Sequence, residues 1–197
     1  MTGINFPPLF IELFTNKIGM DNHEFELFSS HFREMTIKKK DYYLKEGSIS
    51  KQISYISKGC TRSYVTNENA KEHILFFAFE DWWLADFESF NTGNPGKQYV
   101  QAIEDTELLI ISKEDFAKME NEIPKFKLWN EVKVQRMTYT MINRLTEVKS
   151  SSVEERYQNL IKKHPEIFQR VPLQYIASYL DIEPQSLSRL RKRIISK

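Results

Sequence analysis

Gln185 and Arg189 are the two side chains whose types and spacing best suit them to act on a partner. Four residues apart, they project together from one face of a helix. Glutamine pairs bidentately with adenine, and arginine with guanine, along the major groove of duplex DNA. Ser188 and Lys192 share that outward face, and Ser186, Arg191 and Arg193 lie at its edges, where hydroxyl and guanidinium groups suit phosphates. Leu187, Leu190 and Ile194 form the opposite, apolar face.

Such a helix reads DNA only if something holds it at the surface. The preceding residues, VPLQYIASYLDIEP, supply a support. Pro172 can open a first helix, with Ile176, Ala177 and Leu180 as its apolar face. Asp181-Ile182-Glu183 makes a tight connection, and Pro184 opens the second helix. Small Ala177 stands where the two helices approach closely. Asp181 stands where glycine is usual, and Asp tolerates a positive φ better than most residues. Two short helices, a three-residue connection and a small contact residue meet the requirements of a helix-turn-helix. The plainer reading of the same residues is a helical hairpin with a basic rim.

Charge separates along the chain in the same sense. Residues 1–149 carry 19 Lys+Arg against 22 Asp+Glu, and residues 150–197 carry 9 against 5. A net charge of +1 thus hides an acidic body and a basic end. That asymmetry points to an anionic partner for the end, duplex DNA first, although a short basic terminus can also be a solvated tail.

Upstream, Leu9 to Phe32 reads as one or two short helices broken near Gly19, with Asp21 and Glu24 as a capping box. Met35 to Ser112 is different. Met35–Ile37, Tyr42–Leu44, Ile53–Ser57, Thr61–Val65, His73–Phe79 and Leu108–Ile111 are short, β-branched and aromatic, with turn residues between them. This spacing predicts a small antiparallel sandwich or barrel. Asp81–Phe90 interrupts it with an aromatic-rich, helix-like repeat, and an Asn91–Gly96 loop follows. Asp115–Glu122 reads as a short helix. Lys125–Lys149 reads as a long one, about 37 Å by its rise per residue. Val134, Met137, Met141, Leu145 and Val148 make one apolar stripe along it. A second copy of the helix would bury that stripe in a homodimer; the alternative is packing along the chain's own barrel. Ser150-Ser151-Ser152 reads as a hinge, with Ser152 and Glu155 capping a helix over Val153–Lys163.

Taken together, a β-rich region, a long striped helix, a hinge and the closing ASYLDIEPQSLSRLRKRI resemble the Crp/Fnr family of bacterial transcription regulators. The resemblance implies an α+β chain in three parts. Residues 1–124 would be an antiparallel jelly-roll effector domain of the cyclic-nucleotide-binding type, and 125–149 a dimerisation helix. Residues 150–197 would be an all-α winged helix-turn-helix, with Phe168–Val171 as what remains of the wing. It also implies RNA polymerase as a further partner.

The family's effector chemistry fits less well. Its Gly-Glu pair, which binds the ribose of cyclic AMP, falls on Ala85-Asp86, and its Arg-Ser pair, which grips the phosphate, falls on Gly96-Lys97. A lysine one position along does not replace a bidentate guanidinium. The hydroxyl pair reaching the base from the long helix falls on Met141-Ile142. Cyclic AMP is therefore not the expected effector. A single cysteine, Cys60, cannot hold an iron–sulfur cluster, and His23, His31, His73 and His164 show no haem-ligand pattern. Two openings remain. One is a nucleotide held at Asp86 and Lys97. The other is an apolar small-molecule pocket between Met141-Ile142 and Phe76, Phe77, Phe79, Trp82, Trp83, Phe87 and Phe90, most of which otherwise read as core.

No Gly-rich phosphate loop, metal-ligand spacing or nucleophile motif supports an enzyme. No apolar run is long enough for a membrane span. The lone cysteine and the lack of a signal-like N-terminus point to the cytoplasm.

Overall fold

A computed structural model describes residues 3–195. The strands are β1 (Arg33–Ile37), β2 (Tyr42–Leu44), β3 (Gln52–Lys58), β4 (Thr61–Thr66), β5 (Glu72–Ala78), β6 (Trp83–Leu84), β7 (Tyr99–Ala102) and β8 (Thr106–Ser112). They form two antiparallel four-stranded sheets, ordered β1-β8-β3-β6 and β2-β7-β4-β5. Alternation along the strands divides the core. Ile56 and Leu108 face Ala78, Val100 and Ala102 between the sheets. Ile53, Tyr55, Leu109 and Ile111 turn the other way, onto helices.

Those helices are α1 (Pro8–Glu12), which continues as a π-helical turn over Leu13–Lys17, and α2 (Asn22–Ser30). The expected break comes at Gly19, and the Asp21/Glu24 capping box is formed. Phe10, Phe14 and Phe28 bring a dense aromatic layer against Tyr55 and Phe126. The β3–β4 turn falls at Gly59, one of the turn residues between the strand segments. Its φ is +108°, and a Cβ there would lie 2.6 Å from Thr106 Oγ1.

One expectation in this half needs correction, and one strand was not foreseen. Asp81–Phe90 is not one helix: Trp83–Leu84 pairs with β3, and only α3 (Phe87–Thr92) is helical, capped by the Asp86 side chain. Residues 99–102, which the sequence reading assigned to no element, form β7 inside the second sheet.

Downstream come α4 (Lys113–Glu122) and α5 (Pro124–Ser150), then α6 (Val153–Lys163), α7 (Ile167–Arg170), α8 (Leu173–Tyr179) and α9 (Pro184–Ile195). The Ser152/Glu155 capping box starts α6 as expected. The wing expected at Phe168–Val171 is absent: α7 makes a helical turn there, Val171 is buried, and no described residue after Ser112 is in a strand. Ile167 and Val171 are drawn into an apolar cluster instead, which favours the helical turn over an exposed strand.

Candidate functional site

Helix α8 follows Pro172, which caps it rather than occupying its first turn. Ile176, Ala177 and Leu180 are buried, together with Leu187 and Leu190 of α9 and Tyr157 and Leu160 of α6. The chain turns at Asp181, with φ +57°, while Ile182 N–H donates to Ala177 O at 3.0 Å. Arg156 of α6 donates to Leu180 O at 3.0 Å and so ties the end of α8 to α6. Sequence and fold agree at the turn because the Asp181 conformation and the Ile182–Ala177 bond are local; the support from α6, 24 residues upstream at Arg156, is not.

With Leu187 and Leu190 inside, Gln185, Ser188, Arg189 and Lys192 are exposed. Arg189 folds back over its own helix, reaching Gln185 O and Ser186 Oγ at 3.4 Å each. Both contacts are long and solvent-exposed, so they cost little to exchange for a partner. The edge cations differ. Arg191 lies 4.8 Å from the Phe168 ring, with its Nε buried and unpaired. Arg193 donates to Glu154 at 2.6 Å, at the start of α6. These two are engaged with their own domain rather than presented freely at the rim.

The α6–α9 unit packs on the second sheet. Ile74 N–H donates to Ser178 Oγ, which in turn donates to Glu72 O. Arg170 forks onto Glu80 at 2.7 and 2.8 Å and also reaches Glu104. Buried Arg62, paired with Glu72, lies between the rings of Tyr64 and Tyr175 at 4.2 and 3.9 Å. Burial would raise the Glu80 pKa. Hydrogen bonds from Arg170 and from the Gly59 N–H outweigh it and hold the carboxyl at about 2.

Asp86 and Lys97 do different jobs. The buried Asp86 carboxylate accepts the Ser89 N–H at 3.0 Å and caps α3. A Cβ at Gly96 would lie 2.5 Å from Asp86 Oδ2, so the chain is closed tightly over this carboxylate. Lys97 is 82% exposed and faces Glu88. A cyclic phosphate does not fit a turn whose central group is a buried, committed carboxylate and whose lysine points to solvent.

The aromatic residues also divide. Phe77 packs against Tyr179, Phe79 stacks on His164, and Phe90 meets Phe116 in the core. Phe76, Trp82, Trp83 and Phe87 instead line a groove of about 320 Å³ against α5, with Lys133, Arg136, Met137, Thr140 and Met141. Ile142 is not among its lining residues and is exposed. Lys133 holds its ammonium 4.1 Å from the Trp83 ring and 4.9 Å from Trp129, and burial drives its pKa well below that of an ordinary lysine. Sequence reading missed Lys133 and Arg136. Lys133 precedes Arg136 by three residues and Met137 by four, and that helical spacing carried the signal.

A family profile described as "Cyclic nucleotide-binding domain" matches residues 34–122. Comparison with curated protein sequences gave no match. Several solved structures share the fold. FixK2 from Bradyrhizobium japonicum has a TM-score of 0.70 at 14% identity, over 84% of this chain and 85% of that one. The c-di-GMP-responsive global regulator CLP of Xanthomonas campestris has 0.70 at 15%, over 89% and 92%. A CooA variant from Carboxydothermus hydrogenoformans has 0.69 at 19%, over 100% and 86%. Antiparallel sheets followed by a helical C-terminal part match these structures over most of the chain, and so the chain has the fold seen in Crp/Fnr-type structures, with a cyclic nucleotide-binding domain match over residues 34–122.

Proposed function

We propose that this chain is a dimeric, sequence-specific DNA-binding transcription regulator, with Gln185 and Arg189 as its base readers. The observation that carries the reading is the division of α9. Leu187 and Leu190 lock the helix to its support, while Gln185, Ser188, Arg189 and Lys192 face solvent. Residues 1–124 act as the effector domain, 125–149 as the dimerisation helix and 150–197 as the DNA-binding unit. Two copies of α9 would enter successive major grooves about 34 Å apart on a near-palindromic site. Ser186 would meet the phosphate backbone directly, and Arg191 and Arg193 only after leaving Phe168 and Glu154. Duplex DNA, a second copy and RNA polymerase are the partners, and the cytoplasm is the compartment this implies.

Selection of bound duplexes from a random pool gives the operator. On that operator Arg189→Ala is expected to cost about 1–3 kcal/mol and to relax specificity at one base step. Equal losses on cognate and random DNA would contradict the assignment.

The groove beside Met141 favours a second reading, in which a small molecule bound there gates DNA binding. Cyclic AMP is not the ligand proposed, since Asp86 and Lys97 do not converge. Thermal stabilisation by a cyclic nucleotide that disappears in Asp86→Ala would reverse that view.

A further inference from the structure

Lys133 is the unusual charge of this molecule. Its ammonium lies against two indole rings that pack on each other, and among the described residues no carboxylate or hydrogen-bond acceptor meets it. Cation–π contact offsets only part of the cost of withdrawing an ammonium from water. The group is also not sealed away. It borders the groove of about 320 Å³ on one side and a smaller cavity of about 50 Å³ on the other, lined by Phe87, Phe90, Phe116 and Asn130 among others. Arg136, one helical turn along, faces the same groove, and no described side chain pairs with its guanidinium. The groove's one carboxylate, Asp81, accepts a hydrogen bond from Tyr55. The Thr140 hydroxyl is spent on its own helix, donating to Arg136 O. Tyr55 takes only one Asp81 oxygen, so the groove sets two cations, Lys133 and Arg136, against one carboxylate; its polar lining is net positive, and the rest of the wall is aromatic rings and thioethers.

We propose that this groove binds a small aromatic carboxylate. Its carboxylate meets Lys133 and Arg136, and its ring lies among Phe76, Trp82, Phe87 and Met141. The volume is at the lower end of the range for small-molecule sites, which suits one or two rings. An apolar ligand alone would leave Lys133 unanswered. A strongly polar anion would leave the aromatic wall unused. The site contains neither Asp86 nor Lys97, so it does not depend on the turn where a cyclic nucleotide would be sought. It rests on the gated reading above only for its effect on DNA, not for binding.

The chain carries an internal reporter. Its three tryptophans are Trp82, Trp83 and Trp129; the first two line the groove and the third packs against the second and under Lys133. Titrating the full chain with 1-naphthoate and with neutral 1-naphthamide, while following tryptophan fluorescence, separates charge from shape. Naphthoate is expected to bind at least about tenfold tighter than the amide, the size of one charge-assisted hydrogen bond. Lys133→Met keeps the length and removes the charge, and should erase most of that preference while leaving amide binding in place. Trp82→Ala, at an exposed wall, should weaken both ligands. Equal affinity for the two probes, or an unchanged preference in Lys133→Met, overturns the proposal. So does an apparent naphthoate affinity that falls as the protein is concentrated, because a second copy would then occupy the groove. Naphthoate binding retained in Arg189→Ala, with operator affinity reduced, keeps this test independent of the DNA-reading assignment.

Discussion

Single residues hold the two halves of the chain together. Arg170 reaches across to Glu80 and Glu104, 90 and 66 positions away, and Glu80 also takes the Gly59 N–H at the β3–β4 turn. A carboxyl depressed in the folded state stabilises that state above its unfolded pKa, and the contribution fades as pH falls towards the folded value. For Glu80 the window runs from about 4.5 down to about 2. Acid unfolding of the wild type should therefore steepen below about 4.5. Arg170→Ala should flatten that slope and destabilise the chain by about 1–2 kcal/mol at neutral pH, a figure reduced because both partners are partly hydrated. Urea denaturation across pH 2–7 measures both effects. The sequence gives no sign of this pair, since nothing local links positions 80 and 170. The turn at Asp181 and the outward placement of Gln185 and Arg189 are legible because a turn and an i,i+4 spacing are local facts. Asp86 and Lys97 show the converse: spacing along a loop put them near one ligand, but the tight approach of Gly96 to Asp86 and the pull of Glu88 on Lys97 separate their roles.

At the scale of elements, periodicity found most strands and all the long helices. It failed where pairing, not pattern, decides. The two-residue strand β6 exists because Trp83 and Leu84 meet Tyr55 and Ser54, and β7 because it completes a sheet between β2 and β4. The wing failed for a related reason: residues 167–171 are recruited into a helix-lined core. Helix α5 is the element with most left undone. Val134, Met141, Leu145 and Val148 are exposed along it, Leu145 by 59%. Such a stripe on a 27-residue helix needs a cover. Leu145→Glu, far from the β-sheets in sequence and already exposed, should leave the fold intact. It should shift the protein from dimer to monomer in sedimentation and cut operator affinity by more than tenfold, since one half-site contact set is lost. A dimer unaffected by Leu145→Glu and by Met141→Glu would move the interface elsewhere.

Across the whole molecule, the C-terminal helices do not hang from α5 as a separate bead. Tyr157, Leu160, Ile176 and Leu187 share one apolar cluster with Tyr64, Ile74 and Phe77 of the sheet, and the Arg144 guanidinium, 3.8 Å from the Tyr179 ring, adds a third contact from α5. That arrangement has a bearing on solubility. β5 is an outer strand, and Ser178 of α8 occupies backbone groups of Ile74 and Glu72 that would otherwise stand open. The run EHILFFA is apolar, aromatic and low in charge, the kind of edge that recruits other chains when bared. The same helices proposed to read DNA thus cover this edge against other chains. A chain cut after Ser150 should scatter light and gain cross-chain strand pairing on mild warming, and a lysine at Leu75, on the outward side of that strand, should suppress it.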